Sequence, residues 1–543
     1  IWTQSNVGGW VAAVAYIYAP YFLFDSVARG TSSEMGALAV LPFVFYGFTR
    51  LAFYGRRIYF VFVVVAYALF IPMHTLLTLH GTFILGLYCL FLLVTSHEKK
   101  LTFFRLLMAG GLALLVTSFF WLPAIVETDS AKINLIAEQL DQIDVTRHLR
   151  PLSEILALPH TADPTQLAQP IPITLSVVQL IISAFGLVLA WNDRDPLYRR
   201  LLLTLWLILL ALIFMNTPGS RWLWENVPLI GYTQFPWRIL GMASLLLALM
   251  TGISVWLSWM IIPFEWAKMA VFSVLTLIVV SYSVSWTYSL YLGNIELNDI
   301  RDVYQFERDT GQLTVSSYSE YLPVSTDESQ LDPNRLIERF ENSDVIPRLQ
   351  ESNTLEIVSA EWFPTSANLR LKSSQAQSLV FDWLYWDGWT AQLDGKVIDV
   401  KPSSPVGLVT VAVPEGEFDL SISLQPTSIQ SLSIVMSLFG VVGVIVGMLL
   451  WKYVSGFSNL HSFELEPEIR IYVMVVMIGV GVFLFKAIVL DHTDTPFKTT
   501  RFGDLTSENS EIVPLANFGN QIDLLDVELP QGQNSDRFVD IKL

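Results

Sequence analysis

A single cysteine in 543 residues, Cys89, removes an intrachain disulfide and a Cys-rich metal centre from consideration. Charge is scarce too. Asp, Glu, Lys and Arg supply 15% of the chain and hydrophobic residues 53%, a balance that the cores of a soluble protein this long could hardly hide. The charge that is present leans acidic. Its net value of −17 argues against nucleic acid as a partner. The chain opens at Ile1 with no initiator Met and no basic signal-like n-region, so further residues are expected upstream.

What fills the sequence instead is apolar runs, and the mean hydropathy is +0.50. A helix that crosses a bilayer needs about 20 apolar residues, because its backbone polar groups must be satisfied internally. Segments of this kind are expected at 8–24, 34–50, 58–73, 81–96, 103–125, 171–191, 200–215, 237–257, 268–290, 429–451 and 470–490. The short loops rich in Lys and Arg fall on one side of this arrangement: Arg50, Arg56 and Arg57, then Lys99, Lys100 and Arg105, then Arg194, Arg199 and Arg200. By the positive-inside rule that side is cytoplasmic. The expected fold is a polytopic α-helical membrane protein in which 1–290 and 429–490 are helical, while 291–428 and the tail 491–543 are β-rich and lie outside the cytoplasm.

Two of the outward loops are long and mix charge, Pro and aromatic residues. The first, 127–170, carries Arg147, His148, Arg150, His160 and Asp163. It reads either as an interfacial amphipathic helix with a capping loop or as a substrate-facing loop. One imidazole and one carboxylate, His160 and Asp163, are a sparse set for a metal. The second, 216–241, places Arg221 and Arg238 near its two ends and Trp222, Trp224 and Trp237 at the expected interface, with Tyr232 between them. Arg238 either snorkels to the surface or offers a guanidinium to a lipid-linked phosphate. Asp25, Arg29 and Glu34 surround the first outward connection, where Arg29 either pairs with a carboxylate or lines a cavity. His74 and His80 flank the next outward turn as neutral hydrogen-bonded imidazoles or as a general base.

The soluble interruption is distinctly acidic, with 22 Asp and Glu against 9 Lys and Arg across 291–428. After a helical LDPNRLIERFEN it alternates with period two in runs such as NLRLKS, SLVFDWLYW and FDLSISL. Asp394-Gly395 between AQL and KVIDV predicts a hairpin, and the whole predicts a β-sandwich. Trp383, Tyr385, Trp386 and Trp389 either pack its core or stack a sugar, with Trp383 and Trp386 as the candidate sugar contacts.

The stretches YAPYFLFDSVARGTSSEMGALAVLP, YTQFPWRILG, SSYSEYLP and YWDGWTAQLDGKVIDVKPSSPVGLVTVAVPEGEFDLSISL resemble the bacterial 6-pyruvoyl-tetrahydropterin-synthase-related multispanning membrane proteins. Ser319 stands where that pattern has Gly. Through that family the chain also resembles glycosyltransferases of fold class C. No compact three-His zinc constellation is present, so a soluble tetrahydropterin synthase is not implied. The resemblance implies a glycosyltransferase C-like membrane core that transfers a sugar from a polyprenyl-phosphate donor at the outer side of the bacterial cytoplasmic membrane. It also implies an acidic base or metal ligand in a first outward loop, expected upstream of Ile1. Within this chain it makes Arg238 and Arg29 the phosphate contacts, with Trp237 and Tyr232 beside them. Asp25 and Glu34 become base or orienting groups, and His74 an alternative base. A divalent metal is compatible with that chemistry, and no other cofactor is expected. Expected partners are membrane lipids, the lipid-linked sugar and other membrane proteins. The competing reading is a noncatalytic scaffold or assembly subunit.

Overall fold

The computed structural model describes residues 5–133, 145–159, 173–192, 196–227, 230–233, 235–283, 320–327, 348–350 and 352–454, with Trp2, Val303, Glu307 and two short strands, Ala516–Phe518 and Ile522–Leu524. It divides into two compact units. The first comprises 1–114, 144–294 and 443–543, and the second 115–143 and 295–442.

The described chain is mostly helical. Its longer helices are α1 (Asn6–Ile17), α2 (Ser32–Tyr54), α3 (Arg57–Met73), α4 (Thr75–Thr95), α5 (Lys99–Val116), α6 (Ser118–Val126), α7 (Val177–Asn192), α8 (Pro196–Met215), α9 (Ile239–Ile261), α10 (Glu265–Tyr282) and α11 (Ser428–Val454). Among the described residues, six helices are long and apolar enough to cross a membrane, or up to eight if each of two bent pairs forms one span. Two shorter apolar helices, Arg57–Met73 and Val177–Trp191, accompany them. The expected segment 470–490 lies outside the described residues.

Two expected segments are broken, and each break has a chemical cause. Segment 8–24 bends by 47° after α1. Pro20 supplies no N–H there and holds Ala19 in an extended conformation, with φ −65° and ψ 133°. The chain continues as a short turn and then a π-helical stretch, Phe24–Arg29. Segment 103–125 bends by 70° between α5 and α6. At that bend the Ser437 hydroxyl accepts from the Phe119 amide at 2.9 Å, and the Ser118 hydroxyl donates to the Ser433 carbonyl at 3.0 Å. The Ser437 oxygen thus satisfies a backbone N–H that the interrupted helix leaves open.

Helix α9 is the axis of the first unit. Across an 18-residue apolar segment within Pro236–Ile261, 89% of the residues are buried, against 17% within Ser428–Trp451. Small residues let its neighbours approach. A methyl at Gly252 would collide with the Gly8 carbonyl of α1, and one at Gly186 of α7 would meet Ser254 of α9. Large apolar side chains point outward elsewhere, Phe83 at 68% and Leu207 at 69% exposure among them. Such surfaces suit a lipid solvent.

The second unit carries two antiparallel sheets. The strands are β1 (Leu355–Phe363), β2 (Ser366–Ser373), β3 (Gln377–Leu384), β4 (Trp389–Leu393), β5 (Lys396–Ile398), β6 (Val400–Pro402), β7 (Leu408–Val413) and β8 (Gly416–Leu424). They are ordered β1-β2-β8-β4-β5 in one sheet and β3-β7-β6 in the other. Alternate residues from both sheets, including Leu369, Leu371, Phe381, Val409, Val411, Leu420 and Ile422, meet in one apolar core. Asp394 and Gly395 both take positive φ, 46° and 78°, and close the β4–β5 hairpin that their sequence predicts. In the tail, β9 (Ala516–Phe518) and β10 (Ile522–Leu524) form an antiparallel pair.

Candidate functional site

The most concentrated buried charge lies in the first unit, around the break that follows α1. Asp25 sits in the π-helical stretch, Arg29 at its end, and Glu34 in the first turn of α2. Arg29 Nη1 donates to Asp25 Oδ1 at 2.5 Å and to Glu34 Oε2 at 2.9 Å. One guanidinium therefore joins two carboxylates that are both 0% exposed. Arg238 approaches from far along the sequence, its Nε 3.6 Å from Glu34 Oε2. His74, in the turn between α3 and α4, brings Nε2 to 3.8 Å from the same oxygen.

Ring and hydroxyl contacts fix this cluster. The Arg29 guanidinium lies 4.6 Å over Trp237, and that of Arg238 lies 5.1 Å over Phe235. Phe235 and Trp237 stack at 5.2 Å. Tyr21 donates to Glu34 Oε1 at 2.6 Å, and Thr31 donates to Asp25 Oδ1 at 2.6 Å. Arg238 Nη1 also donates to the Thr233 carbonyl at 3.3 Å. Thr233 is tied in turn to His80 Nε2 at 3.0 Å, so the buried His80 anchors the loop that carries Arg238.

The layers of the cluster have different chemistry. Arg29, Arg238 and His74 keep 18%, 12% and 14% exposure, while both carboxylates are closed off behind them. A ligand that reaches this face meets cations and an imidazole first. Glu34 has both oxygens engaged, by Tyr21 and Arg29, which gives it an orienting part. Asp25 differs: its Oδ2 is buried and has no hydrogen-bond partner among the described residues.

His74 is badly placed for a base. Its Nδ1 accepts from the Leu77 amide at 3.2 Å and caps α4, so the neutral ring carries its proton on Nε2, facing Glu34. Burial holds its pKa below the ordinary 6.5; Glu34 opposes that shift, and Arg238 and Arg29 reinforce it.

A divalent metal does not fit these donors. Arg29 already occupies one oxygen of each carboxylate, leaving a cation no paired ligand set beside a guanidinium. Among the described residues, no group of three or more His, Cys, Asp or Glu side chains is placed to hold an ion. His160 and Asp163 lie outside the described residues, as does the side chain of Tyr232.

Other sequence candidates separate from the cluster. Arg221 pairs with Glu225 at 2.7 Å on the surface, Arg150 pairs with Glu154 at 3.1 Å, and His148 packs edge-on against Phe235. Of the three tryptophans expected at an interface, only Trp222 is exposed. Trp224 is buried with Nε1 donating to the Met215 carbonyl, and Trp237 is buried beneath Arg29.

Of the two readings of the sandwich tryptophans, Trp383 shows core packing. It lies in the sandwich core, stacked on Phe381 and Trp389 at 5.6 and 4.8 Å, and it donates to the Pro364 carbonyl. Trp386 rests partly buried against the same core. Neither lines the shallow depression on the outer face of the five-stranded sheet, which is walled by residues such as Glu361, Asn368, Arg370, Gln392 and Asp419.

Tyr21, Thr31, Thr233 and Phe235 are the participants that sequence reasoning missed. Their types are common and their partners are remote along the chain, so no local pattern marks them. In comparison with known proteins the chain matches no protein-family model, and no curated protein matches it.

Proposed function

We propose that the protein is a multi-pass glycosyltransferase that moves a sugar from a polyprenyl-phosphate donor to an acceptor hydroxyl at the extracytoplasmic side of a bacterial cytoplasmic membrane. One observation carries this reading: Arg29, which shares Glu34 with Arg238, pairs with a buried carboxylate, Asp25, whose second oxygen has no hydrogen-bond partner among the described residues. The resemblance to glycosyltransferases of fold class C supports it from the sequence side, and the apolar helices provide walls for a lipid tail.

Arg29 and Arg238 receive the donor phosphate through charge-assisted bonds. As Arg29 turns from the carboxylates to the phosphate, it uncovers Asp25, whose unpartnered Oδ2 receives the acceptor. The acceptor hydroxyl passes its proton to Asp25 as its oxygen bonds the anomeric carbon. The bond from that carbon to the phosphate oxygen breaks, and its electron pair leaves on the lipid phosphate, where the guanidiniums stabilise the charge. Glu34, held by Tyr21, orients Arg29 and Arg238. The side assigned to the β-rich unit follows from the basic loops.

Membranes containing the protein are supplied with polyprenyl-phosphate hexoses bearing a labelled sugar. Asp25→Asn is expected to reduce transfer by about 10²–10⁴-fold, the usual worth of a general base. Arg238→Ala is expected to lose transfer chiefly at limiting donor. Unchanged transfer at limiting donor in Arg238→Ala, with normal membrane expression, overturns the phosphate assignment.

A scaffold is the second reading, favoured by the internal matching of Arg29 with two carboxylates. It predicts that the wild-type protein transfers no sugar and that Asp25→Asn changes only assembly or stability.

A further inference from the structure

The opposite kind of arginine site occurs at the turn between α2 and α3. Arg29, Arg105, Arg150, Arg221, Arg238 and Arg370 each have a carboxylate within 4.0 Å. Arg50 has none among the described residues, and its Nε is buried without a hydrogen-bond partner. Three tyrosine rings surround its guanidinium instead, Tyr54 at 4.9 Å, Tyr46 at 5.5 Å and Tyr59 at 5.7 Å. Rings attract the cation and fix its place, but they leave its charge uncancelled.

More positive charge gathers at the same turn. Arg56 and Arg57 are exposed and pair with no acid among the described residues. Arg57 opens α3, a helix with no acidic residue in its first turn and no side-chain cap, so the positive end of the helix dipole adds to three guanidiniums. The turn is rigid. Trp451 Nε1 donates to the Gly55 carbonyl at 2.7 Å, and the Trp451 ring stacks on Phe60 at 4.6 Å.

We propose that this turn binds the phosphate of an anionic phospholipid headgroup, with Arg50 as the caged central donor and Arg56 and Arg57 as its exposed flanks. The location argues for a lipid over a dissolved anion. Arg50 lies at the end of a membrane-crossing helix whose outward surface carries apolar side chains such as Phe43, at 57% exposure, and Ile58 at the start of α3 is 66% exposed. Acyl chains can lie on such a surface while the headgroup reaches the arginines, and basic segments bordering spanning helices attract anionic lipid.

The full-length protein is placed in nanodiscs of phosphatidylcholine alone or with phosphatidylglycerol, and the lipids retained on ejection are counted by native mass spectrometry. The wild type is expected to retain phosphatidylglycerol in preference to phosphatidylcholine. Arg50→Gln should weaken that preference by about tenfold, the loss of one hydrogen-bonded charge contact. Tyr59→Leu should weaken it in the same direction without removing a charge, and it keeps the test decisive if Arg50→Gln does not fold. Arg199→Gln removes an arginine that stacks on Trp191 at 5.2 Å, and it should leave the preference intact.

Equal retention of the two lipids by the wild type overturns the proposal. So does an equal loss in Arg199→Gln and Arg50→Gln, which would reduce the effect to net charge. Inorganic phosphate added to phosphatidylcholine nanodiscs is the remaining arm. If it stabilises the wild type, but not Arg50→Gln, as strongly as phosphatidylglycerol does, the ligand is a dissolved anion and the lipid assignment fails.

Discussion

The two units solve burial in opposite ways. In the sandwich, apolar residues such as Phe381, Leu371 and Ile422 are inside, and the Arg370–Glu417 pair at 2.8 Å is on the surface. In the helical unit, Asp25 and Glu34 are fully closed off while Phe83 is 68% exposed. Charged surfaces suit water, whereas apolar ones suit lipid, which gives no penalty for an exposed phenyl ring and a large one for an unmatched charge. The same residue type therefore has a different energetic meaning in each unit.

The sharpest way to break this contrast is to remove one member of each ion pair. Glu34→Ala strips Arg29 and Arg238 of a shared buried partner and is expected to destabilise the helical unit by about 3–5 kcal/mol. Glu34→Gln, which keeps an acceptor for Tyr21, should cost less. Unfolding in mild detergent measures both, and equal midpoints for Glu34→Ala and the wild type would contradict the buried network.

Matched phenyl truncations test the apolar side. Phe381→Ala opens a cavity in the sandwich core at a cost of about 3–5 kcal/mol, whereas Phe83→Ala in lipid should stay within about 0.5 kcal/mol. Hydrogen exchange of β3 amides for the first and thermal unfolding in nanodiscs for the second give the readouts. Similar losses at both positions would mean that Phe83 faces a protein surface instead of lipid.

A smaller effect belongs to His74. His74→Ala removes the cap on the Leu77 amide and should cost about 1 kcal/mol. The sign of its pH dependence follows from the lowered pKa. The folded state favours the neutral ring, so the cap's contribution is complete above the ordinary value of 6.5 and fades as pH falls through the lower folded-state value. Protonation puts a hydrogen on Nδ1, which then cannot accept from Leu77. Stability profiles of the wild type and His74→Ala should converge at the acidic end, and parallel profiles would remove His74 from the network.

The smallest change is expected from Glu417→Ala. Its pair with Arg370 is screened by solvent, and the unfolding midpoint should not move. A clear drop would show that surface charge holds the sandwich more strongly than its core packing suggests.

Much of the architecture was legible because its signals are local. Apolar runs marked ten of the places where the described helices lie, and alternation with Asp394-Gly395 marked the strands and their hairpin. The breaks after α1 and α5 were not anticipated. Pro20 was visible, but the bend between α5 and α6 depends on Ser433 and Ser437, more than three hundred residues further along. The polar candidates Asp25, Arg29, Glu34, His74 and Arg238 could be chosen by type, while their convergence on Glu34 could not.

The sequence by itself determined which segments favour lipid and which form a pleated, water-facing sheet, since hydropathy and periodicity act over neighbouring residues. Tertiary structure alone decided that Arg29 is spent on two carboxylates while Arg50 is ringed by tyrosines and meets no carboxylate among the described residues. The reason is range: Coulomb and hydrogen-bond energies depend on through-space separation over a few ångströms, and that separation is set by how distant helices pack, not by order along the chain.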